Sequence, residues 1–290
     1  MRPFDRPAEL KVLITGAAGR IGVVLRQRLG GRYGLLRLLD IAAQQPAAAG
    51  EDVVRADIGD REALRAALSG IDCVVHLAGI PTEADWDRIL AANVVGTYNV
   101  FEAARLAGVR RVVFASSNHA IGFYRRDVDI DTDVVPRPDS RYGVSKVFGE
   151  ALGRMYADKY GLSVACLRIG PFRTPDRPMA ERELMNWISH RDMAQLVRRC
   201  IEHPDFHYLV AYGVSGNTRG RWHNAGLDFL GYRPEDDAEA FASEILAQPA
   251  SEDPVAAQFH GGRYCSAEFV GDASRIDARP SAEIQPKAKQ

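Results

Sequence analysis

The sequence is poor in cysteine. Its 290 residues include four, Cys73, Cys166, Cys200 and Cys265. They lie far apart, with no CxxC pair and no Cys/His spacing of a zinc site, so neither a disulfide scaffold nor a bound metal is expected. Reduced structural thiols point to the cytoplasm. Charge excess is also missing: 37 Lys and Arg face 38 Asp and Glu, for a net charge of -1. A chain so balanced has no electrostatic case for nucleic acid or an anionic membrane. No apolar run reaches the length of a membrane span. The opening MRPFDRPAELKVLITG lacks a basic segment followed by an apolar one, so no secretory leader is expected. There is no internal repeat, and only residues 42–50 form an Ala-rich loop.

What the chain does have is a β-α-β-α order. Strand-like runs are expected at 11–15 (KVLIT), 35–40 (LLRLLD), 52–57 (DVVRAD), 73–79 (CVVHLAG), 111–117 (RVVFASS) and 163–170 (SVACLRIG). Most are nearly continuous in apolar residues, as strands buried on both faces are. Helical patterns are expected between them, at 20–30, 61–68, 86–106 and 142–160. Such an alternation gives right-handed crossovers and a doubly wound parallel sheet, the Rossmann-type α/β class. After residue 170 the pattern changes to a turn-rich PFRTPDR, a helix at 191–202, a strand at 208–213 and helices near 224–230 and 238–246. The expected division is a dinucleotide-binding domain at 1–170, a small substrate lobe at 171–271 and a disordered tail at 272–290.

The first βα turn reads Gly16-Ala17-Ala18-Gly19-Arg20-Ile21-Gly22. Small residues there let backbone approach a pyrophosphate, and the helix N-terminus offers free N–H groups and a positive dipole end. Asp40 closes the second run, where a carboxylate accepts both ribose hydroxyls of an adenosine and repels a 2′-phosphate. Ile41-Ala42-Ala43 follows with no base nearby, which favours NAD over NADP. Asp57, at the end of the third run, and its neighbour Ile58 are candidates for the adenine.

Tyr142-Gly143-Val144-Ser145-Lys146 is the chemical centre. Positions i and i+4 share a helix face, so the Lys146 ammonium is expected beside the Tyr142 phenol, lowering its pKa toward that of a usable base. Ser116 and Ser117 end the fifth run, where strand C-termini face the ligand crevice. One of the two must point away, and Ser117 is the expected substrate contact. Asn93 is a candidate for holding a proton-relay water near the lysine, or for helix packing.

GxxGxxG, the strand-end Asp, HLAG, the serine pair and YxxxK together resemble the extended short-chain dehydrogenase/epimerase group over residues 10–270. FASSNHAIGFY, RPDSRYGVSK, RIG, NWISH and FHGG are similar to the uronate dehydrogenases. Those enzymes oxidise glucuronate or galacturonate at C1 to the aldarolactone with NAD. The resemblance implies catalytic Tyr142, Lys146 and Ser117. It implies a cofactor site of Gly16, Gly19, Arg20, Ile21, Gly22, Asp40, Asp57, Ile58, Leu77, Ala78, Gly79, Asn93, Lys146 and Ile169. It places Ser117, Asn118, His119 and Tyr142 on the sugar acid, with Arg182 on its carboxylate, and Arg173 and Arg177 as rivals for that role. A homo-oligomer is implied as well. Pro81 and Pro171 stand where the family usually has serines, which leaves open the identity of the sugar acid. The alternative is a nucleotide-sugar epimerase or dehydratase, which uses the same tyrosine and lysine but needs a larger C-terminal lobe.

Overall fold

The computed structural model describes residue 4, residues 6–249 and residues 253–276. Seven parallel strands form one sheet: β1 (Lys11–Thr15), β2 (Leu35–Asp40), β3 (Glu51–Arg55), β4 (Cys73–His76), β5 (Arg111–Ser117), β7 (Ser163–Ile169) and β8 (Tyr208–Gly213). Their order is β3-β2-β1-β4-β5-β7-β8. A separate two-stranded parallel ladder joins β6 (Ile130–Asp131) to β9 (Trp222–His223). The sheet order reverses direction between β1 and β4, and ligands bind at such switch points, outside the strand C-termini.

The continuous apolar runs are explained by two cores, one on each face. Val12 and Ile14 of β1, Val113 and Ala115 of β5, and Ala165 and Leu167 of β7 face one cluster. It is closed by α1 (Arg20–Leu29) and by α7 (His190–Glu202). The intervening Leu13, Val112, Phe114, Val164 and Cys166 face the other. That side is closed by α2 (Arg61–Ala67), α4 (Gly96–Leu106) and α5 (Arg141–Tyr160). With a period of two and both faces buried, every position becomes apolar.

Several expectations shift. Run 52–57 is strand only to Arg55; it is an edge strand, partly exposed along its length. Asp57 therefore lies past the strand, where its carboxylate accepts the Gly59 amide at 2.7 Å in a local turn. The fourth strand ends at His76. The single helix expected over 86–106 is α3 (Trp86–Ile89), a π-helical turn at Leu90–Val95, and α4. The region 224–230 is mainly loop, with one 3-10 turn at Asp228–Leu230. Over 238–246, a 3-10 turn runs into α8 (Ala242–Leu246).

The C-terminal part is less separate than the expected lobe. β8 pairs with β7 along its whole length and α7 packs beside α1, so both complete the sheet and its helical layer. What remains caps the strand C-termini: α6 (Glu183–Asn186), α8, α9 (Arg263–Ser266) and the β6–β9 ladder. Residues 272–276, expected as the start of a disordered tail, form a 3-10 turn capped by Asp272, and Arg137 donates to the Ile276 carbonyl. Residues 277–290 of that expected tail lie outside the described residues. Among those described, no helix is long and apolar enough to cross a membrane.

Candidate active site

The glycine loop is built for close backbone approach. Gly16 has φ +72°, and a Cβ on it would sit 2.7 Å from the Ala78 amide nitrogen and 2.8 Å from the Leu77 carbonyl carbon. A Cβ on Gly22 would meet the Gly16 carbonyl at 2.5 Å. Loop, helix and the segment after β4 thus pack with no room for side chains. Gly19 caps α1 without a side-chain acceptor, leaving the first amides of the helix for an anion. Asp40 accepts the Ala18 amide through Oδ2 and the Ala42 amide through Oδ1, both at 2.9 Å. A carboxylate has about four lone-pair sites, so it can tie the loop to β2 and still receive two ribose hydroxyls. These residues fit NAD.

Behind the cradle, His76 is wholly buried between Thr15, at 2.8 Å, and Thr97, at 3.2 Å. Burial pushes its pKa down to about 3, so it is a neutral packing group. Asn93, on the π turn, accepts the Ile80 amide at 2.7 Å. It donates to the Ile80 carbonyl at 3.0 Å and to Ser145 at 3.2 Å. Its amide protons are spent bolting the loop after β4 to α5. Of the two expectations for Asn93, packing is the one these bonds describe.

Tyr142 and Lys146 are buried on one face of α5. The Ser140 hydroxyl caps that helix by accepting the Gly143 amide at 3.0 Å. Lys146 Nζ donates to the Ala115 carbonyl at 2.8 Å and stands 5.4 Å from the Tyr142 ring centre. The expected lowering of the tyrosine pKa is not what dominates. Burial raises Tyr142 well above its ordinary value, and the nearby Ser117 hydroxyl pulls the other way. Burial also lowers Lys146 to about 8. Ser116 turns toward α5 and donates to Glu150 at 2.5 Å. Glu150 is in turn held by Arg168 at 2.9 and 3.0 Å.

On the substrate side, the strand ends in a 3-10 turn, Asn118–Ile121, capped by Ser117. Asn118 is buried, and its Nδ2 has no partner among the described residues. His119 Nδ1 lies 2.7 Å from Asp139 Oδ2. The imidazole stacks on Tyr264 at 3.8 Å and meets Tyr142 edge-on at 5.7 Å. Of the three arginines, Arg173 is paired with Glu183, and Arg177 with Glu244 at 2.6 Å. Arg182 donates to the His260 carbonyl at 3.2 Å and packs on Gly262, two residues before Tyr264.

The chain is similar to known proteins. A model described as the NAD dependent epimerase/dehydratase family matches residues 12–185. The chain belongs to that family. It is 41% identical over 267 residues to the uronate dehydrogenase of Pseudomonas putida, covering 91% of this chain and 97% of that one. The crystal structure of uronate dehydrogenase from Agrobacterium tumefaciens matches with a TM-score of 0.85 at 42% identity, over 89% of this chain and 97% of that one. A variant of that enzyme complexed with NAD also matches at TM-score 0.85 and 42% identity, over 89% and 98%. NAD is the cofactor of this chain too, and its chemistry is that of an NAD-dependent dehydrogenase acting on a CH–OH group.

Three residues at the site escaped the sequence reading. Asp139 lies in the RPDSRYGVSK run, three before Tyr142, but an acid in a loop carries no signal of its own. Tyr264 follows FHGG by two residues. Glu83, after β4, accepts the Tyr142 amide at 2.8 Å and pairs with Arg141 at 2.7 Å. Only the fold brings these three together.

Proposed function

We propose that the protein oxidises a cyclic uronic acid, glucuronate or galacturonate, at C1 to the aldarolactone. Bound NAD supplies the hydride acceptor. Tyr142 takes the proton of the C1 hydroxyl, and Ser117, at the end of β5, steadies the charge that develops on that oxygen. Lys146, anchored on Ala115, is the nearest cation to the phenol and is assigned to the ribose of the cofactor. The Asn118 amide, buried and unpartnered, is a donor awaiting a substrate oxygen. Arg182 is assigned to the sugar carboxylate, because it packs on Gly262, beside the Tyr264 wall.

The observation that carries this reading is His119, stacked on Tyr264 and edge-on to Tyr142, beside the buried and unpartnered Asn118 amide. The test is NADH formation with galacturonate and with glucuronate. No NADH at high enzyme concentration with either sugar acid would sink the assignment, and the relative rates decide the sugar. Placement in the cytoplasm is part of the proposal, supported by four free, buried cysteines. So is a homo-oligomer, supported by exposed apolar side chains on adjoining helices: Trp86, Leu90 and Tyr98, with Val144 and Met155 of α5. Light scattering reads that mass directly.

A further inference from the structure

Next to Tyr142 lies a histidine that is held from behind. His119 is fixed through one ring nitrogen by a carboxylate that has no other access to the site. The Asp139 side chain is wholly buried. Its Oδ2 takes His119 Nδ1 at 2.7 Å, and its Oδ1 takes the Ser140 hydroxyl at 2.8 Å. The seat is tight: a Cβ on Gly122 would fall 1.8 Å from Oδ2, and one on Gly261 would fall 1.9 Å from it. Two glycines from distant parts of the chain thus make room for this one carboxylate. The imidazole face is pressed on Tyr264, with ring centres 3.8 Å apart. Ring position and ring rotation are therefore both set.

A carboxylate accepts and does not donate. Facing Asp139, Nδ1 must carry the hydrogen, and the neutral ring then offers a lone pair at Nε2. Among the described residues, Nε2 has no hydrogen-bond partner. From these contacts we infer that Asp139 is a positioning residue that holds His119 as the Nδ1–H tautomer, so that Nε2 accepts a hydroxyl of the sugar ring bound against Tyr142. This rests on the uronate reading and deepens it. Asp139 touches neither substrate nor cofactor; it decides which sign of hydrogen bond His119 presents. An acceptor there pairs with Asn118, a donor in the same turn. Together they read both halves of a hydroxyl-bearing substrate.

The test uses nitrogen NMR of the histidines together with steady-state kinetics. In the wild-type protein, the His119 signals, assigned by their loss in His119→Gln, should report a hydrogen on Nδ1. In Asp139→Asn, which keeps the shape, the amide can donate to Nδ1 and move the hydrogen to Nε2. KM for the uronate should then rise about tenfold, with kcat less affected and NAD affinity unchanged, since the sugar hydroxyl meets an N–H where it had a lone pair. In a His119→Gln background the same substitution should change KM by less than about twofold. A purely structural role would persist without the histidine. An Nε2–H tautomer in the wild type overturns the inference without need of any variant. So does an unchanged KM in Asp139→Asn, or an equal rise in the His119→Gln background. Absence of NADH from the wild-type protein with any uronate sinks the functional reading instead, so the two failures are distinguishable.

Discussion

The two halves of the site are built from different materials. The cofactor half is made mostly of backbone: a glycine turn, an uncapped helix start, and the loop after β4 held to α5 by Asn93. Asp40 serves the loop through two amides. The proposed substrate half is made of side chains from distant segments: Ser117 and His119 from β5 and its turn, Asp139 and Tyr142 around the start of α5, Arg182 before α6, and Tyr264 on α9. The first half is contiguous enough to be written as a motif. The second exists only when about 150 residues of chain have folded back on themselves. Substitutions should therefore act differently: in the cofactor half through space and backbone strain, in the substrate half through chemistry.

The largest effect separating the halves is expected from Tyr142→Phe. Loss of the base should lower kcat by about 10²–10⁴-fold while NAD affinity, measured by calorimetry, stays put. Weakened NAD binding in this variant would mean that the halves are not separable. Next comes Arg182→Ala, for which KM for the uronate should rise about 10- to 100-fold, in line with loss of a charge-assisted bond. Arg177→Ala breaks a partly exposed pair with Glu244 and should change KM hardly at all. If the order is reversed, the carboxylate site has been assigned to the wrong arginine.

On the cofactor side, Gly16→Ala forces a Cβ into backbone at a positive φ. It should cost about 1–3 kcal/mol of stability, read by urea unfolding, and weaken NAD binding with it. NAD affinity equal to wild type would break the picture of a backbone-built cradle.

Smallest per residue, but present in both halves, is an acid sensitivity. His76 lies under the cofactor loop and His260 beside Arg182 and Trp222. Burial pushes both down to about 3, whereas an unfolded histidine titrates near 6.5. Between those values the unfolded chain binds protons that the fold refuses. Their contribution is therefore intact above about pH 6.5 and is lost progressively as pH falls toward 3. Denaturant midpoints should drop between pH 7 and 5, and less so in His260→Gln. An equal drop in that variant would confine the effect to the cofactor half.

These contrasts explain what could be read in advance. The strands at 11–15, 35–40, 111–117 and 208–213 were legible to the residue, because burial on both faces leaves an uninterrupted apolar run that a helix period cannot imitate. The edge strand β3 was misplaced by a residue or two, since partial exposure admits Glu51 and Arg55 and blurs its ends. The π turn at 90–95 was invisible. A bulge of one residue leaves the helical pattern almost intact, and its role, aiming Asn93 at Ile80 and Ser145, is a tertiary one. The choice of Ser117 over Ser116 followed from strand alternation. What Ser116 does instead, holding Glu150, did not. The pKa of Tyr142 was expected from the i+4 lysine alone, and burial overrode it.

The sequence by itself determined the parallel sheet, the NAD cradle and the tyrosine–lysine pair, because each rests on neighbours within a turn or a strand. Only the tertiary structure decided the rest. It joined β8 to the sheet and α7 to its helical layer, and it set Arg173 on Glu183 and Arg177 on Glu244. It also drew Asp139, between Gly122 and Gly261, up to the back of His119. Those outcomes depend on which distant groups share a buried space, and there desolvation and steric fit, absent from any local pattern, set the energies.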